Sequence, residues 1–125
     1  MNAYMKQTIL AFSCVLLFFA CKKPDNTNPV ILAAITTLNC SSATADAATA
    51  GTAYTGTLTV PYTGGNGIAY LAGSPIASTG VTGLTARLQA GSLANGTGNL
   101  SYTVTGTPSA AGPASFALSF AGQAC

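Results

Sequence analysis

The sequence predicts an all-β body folded as a two-sheet antiparallel sandwich. Three observations carry this. Apolar residues recur with period two over most of the chain, and no helical period persists past the first third. The opposite parity is filled by threonine and serine, whose polar or β-branched side chains suit the wet face of a pleated sheet. Clusters of Gly, Asn and Pro then separate short runs at the spacing of sandwich strands.

The first element is not a strand. Ile9 to Ala20 form an apolar run of 12 residues, interrupted only by Ser13 and Cys14. As a helix it would be about 18 Å long, against a bilayer hydrocarbon core of about 30 Å. Lys6 precedes it and the small Ala20 ends it, the layout of a secretory signal peptide. Cys21 follows at once. The stretch "LLFFACKKP" resembles the signal of bacterial lipoproteins, in which cleavage occurs before the cysteine and its sulfur carries a diacylglyceryl group. The resemblance implies that residues 1–20 are a signal helix and that Cys21 is the first mature, lipidated residue. It also implies a bacterial outer membrane location, with the lipid as the sole covalent addition and no other cofactor. A plain signal peptide cut elsewhere is the alternative. Residues 21–37 then read as a tether: Pro24 to Pro29 hold no apolar residue, and Val30 to Ile35 turn from linker into a first strand.

The body is expected over residues 38–125. Leu38 and Cys40 share one face of its first strand. Tyr54, Gly56, Leu58 and Val60 alternate with Thr55, Thr57 and Thr59. Ala86, Leu88 and Ala90 alternate with Arg87 and Gln89, which sends the cation to water. Leu100, Tyr102 and Val104 alternate with Ser101, Thr103 and Thr105, and Phe116, Leu118 and Phe120 with Ala117 and Ser119. Turns are expected at "TGGNG" (Thr63–Gly67), "STG" (Ser78–Gly80), "ANGTGN" (Ala94–Asn99) and "GTPSAAGP" (Gly106–Pro113), where Gly and Asn accept positive φ and Pro presets it.

Two of these segments carry a second resemblance. "GTAYTGTLTV" and "GNLSYTVTGTPSAAGPASFALSF" are similar to bacterial immunoglobulin-like repeats, through Gly51, Tyr54, Gly106, Thr107, Pro108 and Gly112. "VTGLTARLQAG" resembles the middle Gly-Leu segment of the same repeats. The resemblance implies an immunoglobulin-like β-sandwich over residues 38–125 and a cell-surface adhesion or display role. It implies partners in the form of the membrane, through the lipid, and an unidentified surface protein or glycan.

Cysteine use fits export. With Cys14 in the signal and Cys21 lipidated, Cys40 and Cys125 remain, and a disulfide between them is expected in an oxidising compartment. Two free thiols, or Cys125 bridged to another molecule, are the alternatives. Strict alternation points Cys125 outward and Cys40 inward, so the bridge calls for a bulge near Gly122.

Charge and chemistry exclude several functions. The charged residues are Lys6, Lys22, Lys23, Arg87, Asp25 and Asp46, with no histidine and no glutamate. So neutral a body cannot neutralise many phosphates, which excludes nucleic acid as a partner. General acid–base catalysis needs a positioned pair. Asp46 has no basic neighbour in sequence, so no enzyme is expected. Two aspartates fall short of a calcium cage, and no zinc-ligand spacing exists, so no metal site is expected. "TGGNG" lacks the lysine and helix of a phosphate loop. The alternative to adhesion is a glycan-binding accessory module with Tyr62 and Tyr70 as its stacking platform, flanking the Gly-rich loop. Tyrosine is equally at home in a sheet core or rim.

Overall fold

A computed structural model describes residues 30–125 of the chain. The expected signal helix, Cys21 and the polar part of the tether lie outside the described residues. The described body is all-β, with antiparallel strand pairs throughout.

Two long strands dominate. Strand β1 is Thr37–Leu38, β2 Thr44–Ala45 and β3 Tyr54–Asn66. Next come β4 Ala69–Tyr70, β5 Ile76–Ala77, β6 Thr79–Gly80 and β7 Leu84–Leu88. The chain finishes with β8 Gly91–Ser92, β9 Asn95–Gly106, β10 Ala114–Ser115, β11 Ser119–Phe120 and β12 Gln123–Ala124. The main sheet has the order β1-β3-β9-β7-β5, with β2 also paired to β3. Three two-stranded ladders accompany it: β6 with β10, β11 with β12, and β4 with β8.

The period-two pattern becomes rows across the main sheet. Register sets Val60 opposite Leu100, and Tyr102 between Leu58 and Leu88. Val104 lies between Gly56 and Ala86. Directly opposed residues share a face, so these rows form one continuous apolar surface. Val60, Ala86 and Leu100 are wholly enclosed there. Ile35, Leu93 and Leu118, from the short segments, complete the core, with Phe116, Phe120 and Tyr70 packed against it. On the other face, Thr55, Thr105 and Thr85 form one row, and Thr57, Thr103 and Arg87 the next. Arg87 is exposed, as its parity predicts.

Several details depart from the sequence expectation, among them "STG", where Thr79 and Gly80 are strand β6 paired with β10 instead of a turn. The stretches "TGGNG" and "ANGTGN" are not turns but the paired ends of β3 and β9. Gly65 faces Gly96, Asn66 faces Asn95, and the register shifts between Tyr62 and Gly65 as a β-bulge. Gly98 is needed there because a Cβ would overlap the ring of Tyr62, its cross-strand partner.

The body also starts before residue 38. Ile35 is buried, Thr36 N–H donates to the Thr63 carbonyl at 2.8 Å, and β1 pairs with β3. The side chain of Asn66 clamps this segment. Its Nδ2 donates to the Leu32 carbonyl at 2.9 Å, and its Oδ1 accepts from Ala34 N–H at 3.2 Å. Burial of Ile35 offsets the entropy of ordering an apolar stretch that would otherwise remain linker.

Ala90 lies beyond the end of β7 and is exposed, because the strand stops at Leu88.

The last expected strand is broken. Only Ser119–Phe120 pair, and they pair with Gln123–Ala124 across a two-residue turn at Ala121 and Gly122, with φ of 48° and 81°. Positive φ at both central residues marks the primed hairpin turn, whose twist matches the flanking strands.

Candidate functional site

The disulfide follows from that hairpin. Cys125 and Leu118 exchange both backbone hydrogen bonds, at 2.8 and 2.9 Å. They are therefore a directly opposed pair, and the Cys125 side chain shares the inward face of buried Leu118. A reversal of the chain, rather than a bulge near Gly122, aims the last cysteine. Cys40 opens a short 3-10 turn, Cys40–Ser42, instead of lying on a strand. The two cysteines are bridged, with Cα atoms 6.0 Å apart and a separation of 85 positions in sequence.

Tyr62 and Tyr70 form no stacking platform. Tyr62 is 3 % exposed, its ring lies over Gly98 and Gly65, and its hydroxyl accepts from Ala94 N–H at 2.7 Å. Sugar stacking needs a free ring face, which Tyr62 lacks. The parity that turns Leu58 and Val60 inward continues to Tyr62, a signal the sequence did contain. Tyr70 is half-buried and packs edge-to-face on Phe120, with ring centres 5.1 Å apart. Burial first, then neighbouring Tyr62, pushes the Tyr70 hydroxyl above its ordinary pKa. Tyr102 is shifted the same way by burial and then by Tyr70, and its enclosed hydroxyl has no hydrogen-bond partner.

The other candidates separate by position. Asp46 is exposed, and its carbonyl accepts from the Tyr54 hydroxyl at 2.9 Å. Burial, then the Asp46 charge, raises the Tyr54 pKa. Arg87 donates its Nε to the Gly73 carbonyl at 3.0 Å. Among the described residues, no three His, Cys, Asp or Glu side chains gather to hold a metal, and no helix is long and apolar enough to cross a membrane.

The site with the most shape lies where β3 starts and β9 ends. There the inner-face row finishes at Val104 and Leu84, and the covering loops supply mainly Ala and Gly. Such small side chains cannot fill the space under the loops, and a cavity of about 350 Å³ results. Val81, Leu84, Val104 and Phe116 give it apolar walls, while Asp46 and Tyr54 lie at its lining's polar side. Its size falls within the range of small-molecule pockets. Backbone bonds hold its rim: Gly51 N–H to Pro108 carbonyl, Thr107 N–H to Gly83 carbonyl and Ser109 N–H to Thr82 carbonyl, each 2.9 Å. This loop cavity was not legible in the sequence, because the small residues that leave it open also read as turn and linker. The arrangement can receive an apolar group with a donor near Asp46.

No protein-family model, curated protein or solved structure matches the chain.

Proposed function

We propose that the chain is a lipid-anchored surface protein of a bacterial outer membrane, whose immunoglobulin-like two-layer domain serves as an adhesion or display module. On this reading the main sheet is one layer, the three short ladders belong to the other, and Cys21 carries the acyl chains.

One observation supports it above the rest: the described body has a near end and a far end. The segment leading back to Cys21 meets the body at Leu32, clamped by Asn66 at the end of β3. The loops around the cavity gather at Tyr54, the start of β3. At strand rise, the 13 residues of β3 separate the two by about 40 Å. A domain held at one end offers the other to solution, and the far end carries the loops and the concavity. Fold alone does not specify a partner. The Thr-rich outer sheet face and the far loops are the surfaces available to one, protein or glycan.

The reading is tested in cells fed labelled palmitate. The expected product carries the label and begins at Cys21, and intact cells bearing it bind a surface that cells without it do not. Substitution of Ala110→Arg on the far cavity is expected to weaken that binding. A secreted, unlabelled product, or an anchored one with no recoverable partner in pull-downs, overturns the reading.

A further inference from the structure

The large apolar side chains left exposed among the described residues are Val30, Ile31, Leu32 and Leu71, between 66 % and 87 % exposed. Scattered one by one, such residues would need no explanation. They are not scattered. Leu32 and Leu71 line one shallow groove of about 470 Å³ together with Tyr70 and Phe120, and Val30 and Ile31 directly precede Leu32. The patch therefore occupies the near end of the domain, where the chain returns toward Cys21. Its parts are held in place: Asn66 fixes the Leu32 carbonyl, the Tyr70–Phe120 pair forms the floor, and Arg87 and Leu88 grip Gly73 beyond Leu71.

We infer that this patch is a lipid-docking surface, which seats the near end of the domain in the interfacial layer of the bilayer that holds Cys21. The inference rests on the anchored reading above and deepens it. Nine positions separate Cys21 from Val30. Fully extended they reach about 30 Å, so an anchored domain can never leave the neighbourhood of the membrane surface. The intervening residues, Lys22 to Pro29, contain no apolar side chain with which to cover the groove. Lipid does provide apolar matter within reach. Amphipathic surfaces settle about 5–10 Å into the headgroup boundary, a depth suited to a few aliphatic side chains on a folded body. Lys22 and Lys23, beside the anchor, add attraction to anionic headgroups. The consequence is orientation: the domain stands on its near end instead of swinging freely, and the far cavity faces away from the membrane.

The chain lacks tryptophan, which permits a direct test. Full-length lipidated protein with Leu71→Trp, and a control with Thr57→Trp on the exposed outer sheet face, are placed in phosphatidylethanolamine–phosphatidylglycerol vesicles. Leu71→Trp is expected to emit at shorter wavelength than the control, and to be quenched severalfold more by lipids brominated on the acyl chain. The mass of each purified protein reads the acyl groups independently. Acylated protein in which both tryptophans respond alike overturns the docking and leaves the anchor standing. Protein without acyl groups overturns the anchor and the docking together. The soluble Cys21→Ser chain with Leu71→Trp, studied without lipid, is expected to be monomeric and unshifted. A concentration-dependent dimer with the blue shift would assign the patch to a second copy of the chain and overturn the lipid assignment.

Discussion

The two ends of this domain are built by different means. The near end is fastened by side chains, the Asn66 clamp and the Tyr62 hydroxyl on Ala94 N–H, while the Cys40–Cys125 bridge lies midway along β3, beside Pro61. Its surface is apolar. At the far end, backbone hydrogen bonds join loops of small residues, with Tyr54 to Asp46 and Thr82 to Ser109 as side-chain additions. Its concavity lies under loops whose small side chains do not fill it. The difference teaches that a chain with almost no charge can still give its ends distinct tasks. Specific side-chain fixings gather at the end nearer the N-terminal segment. Loosely filled space is left at the other.

The comparison breaks most readily at the disulfide. Replacing Cys40 and Cys125 together by alanine is expected to remove about 4–5 kcal/mol by the chain-entropy estimate for so long a loop. Urea unfolding of the two proteins measures it, and a loss below 1 kcal/mol would leave the domain's strength to the side-chain fixings of its near end. Next in size is Tyr62→Phe, which strands the Ala94 N–H in a part-buried site and should cost about 1–2 kcal/mol. Asn66→Ala should cost a similar amount and raise hydrogen exchange at Ala34 before it does so at Gly51. Tyr54→Phe, the far-end counterpart, removes an exposed bond and should cost only about 0.5 kcal/mol. Equal losses for Tyr62→Phe and Tyr54→Phe would erase the contrast between the ends.

The smallest effect is expected at Tyr102→Phe. The Tyr102 hydroxyl is enclosed and unpartnered, so its removal should be neutral or slightly stabilising in neutral solution. Its folded pKa lies above the unfolded one, so the unfolded chain gives up this proton first as pH rises. Stability is therefore full below about pH 10 and falls as pH climbs through and beyond that value. Tyr102→Phe should flatten that alkaline fall in a melting series, and Tyr70→Phe should flatten it less.

Much of the main sheet was legible in the sequence, because a two-residue period has one structural meaning once a face is buried. Leu58 and Val60, and Leu100, Tyr102 and Val104, all point inward as their parity requires. The turns were less legible. Gly and Asn suit a hairpin, a bulge and a strand lying under an aromatic ring alike, and "TGGNG" serves the latter two. Ile35 could not be told from linker without the bond from its neighbour Thr36 to the Thr63 carbonyl, 27 positions on. The bridge was anticipated, but not the hairpin that aims Cys125, since Ala121 at positive φ has no sequence signature. The tyrosine pair failed as a platform because exposure depends on what covers a ring, which for Tyr62 is set by Gly98 across the strand.

The bridge has a mechanical consequence. It makes residues 40–125 a closed ring, so tension entering through the segment before Cys40 first draws out only that short run. Beyond that point, a pull between the tether and the loop at Gly106–Pro113 travels the short way round, through Cys125 and the sulfur atoms. The long strands β3 and β9 lie off that path. Under oxidising conditions the domain should behave as a nearly inextensible link, and single-molecule stretching should show its full contour length only after reduction.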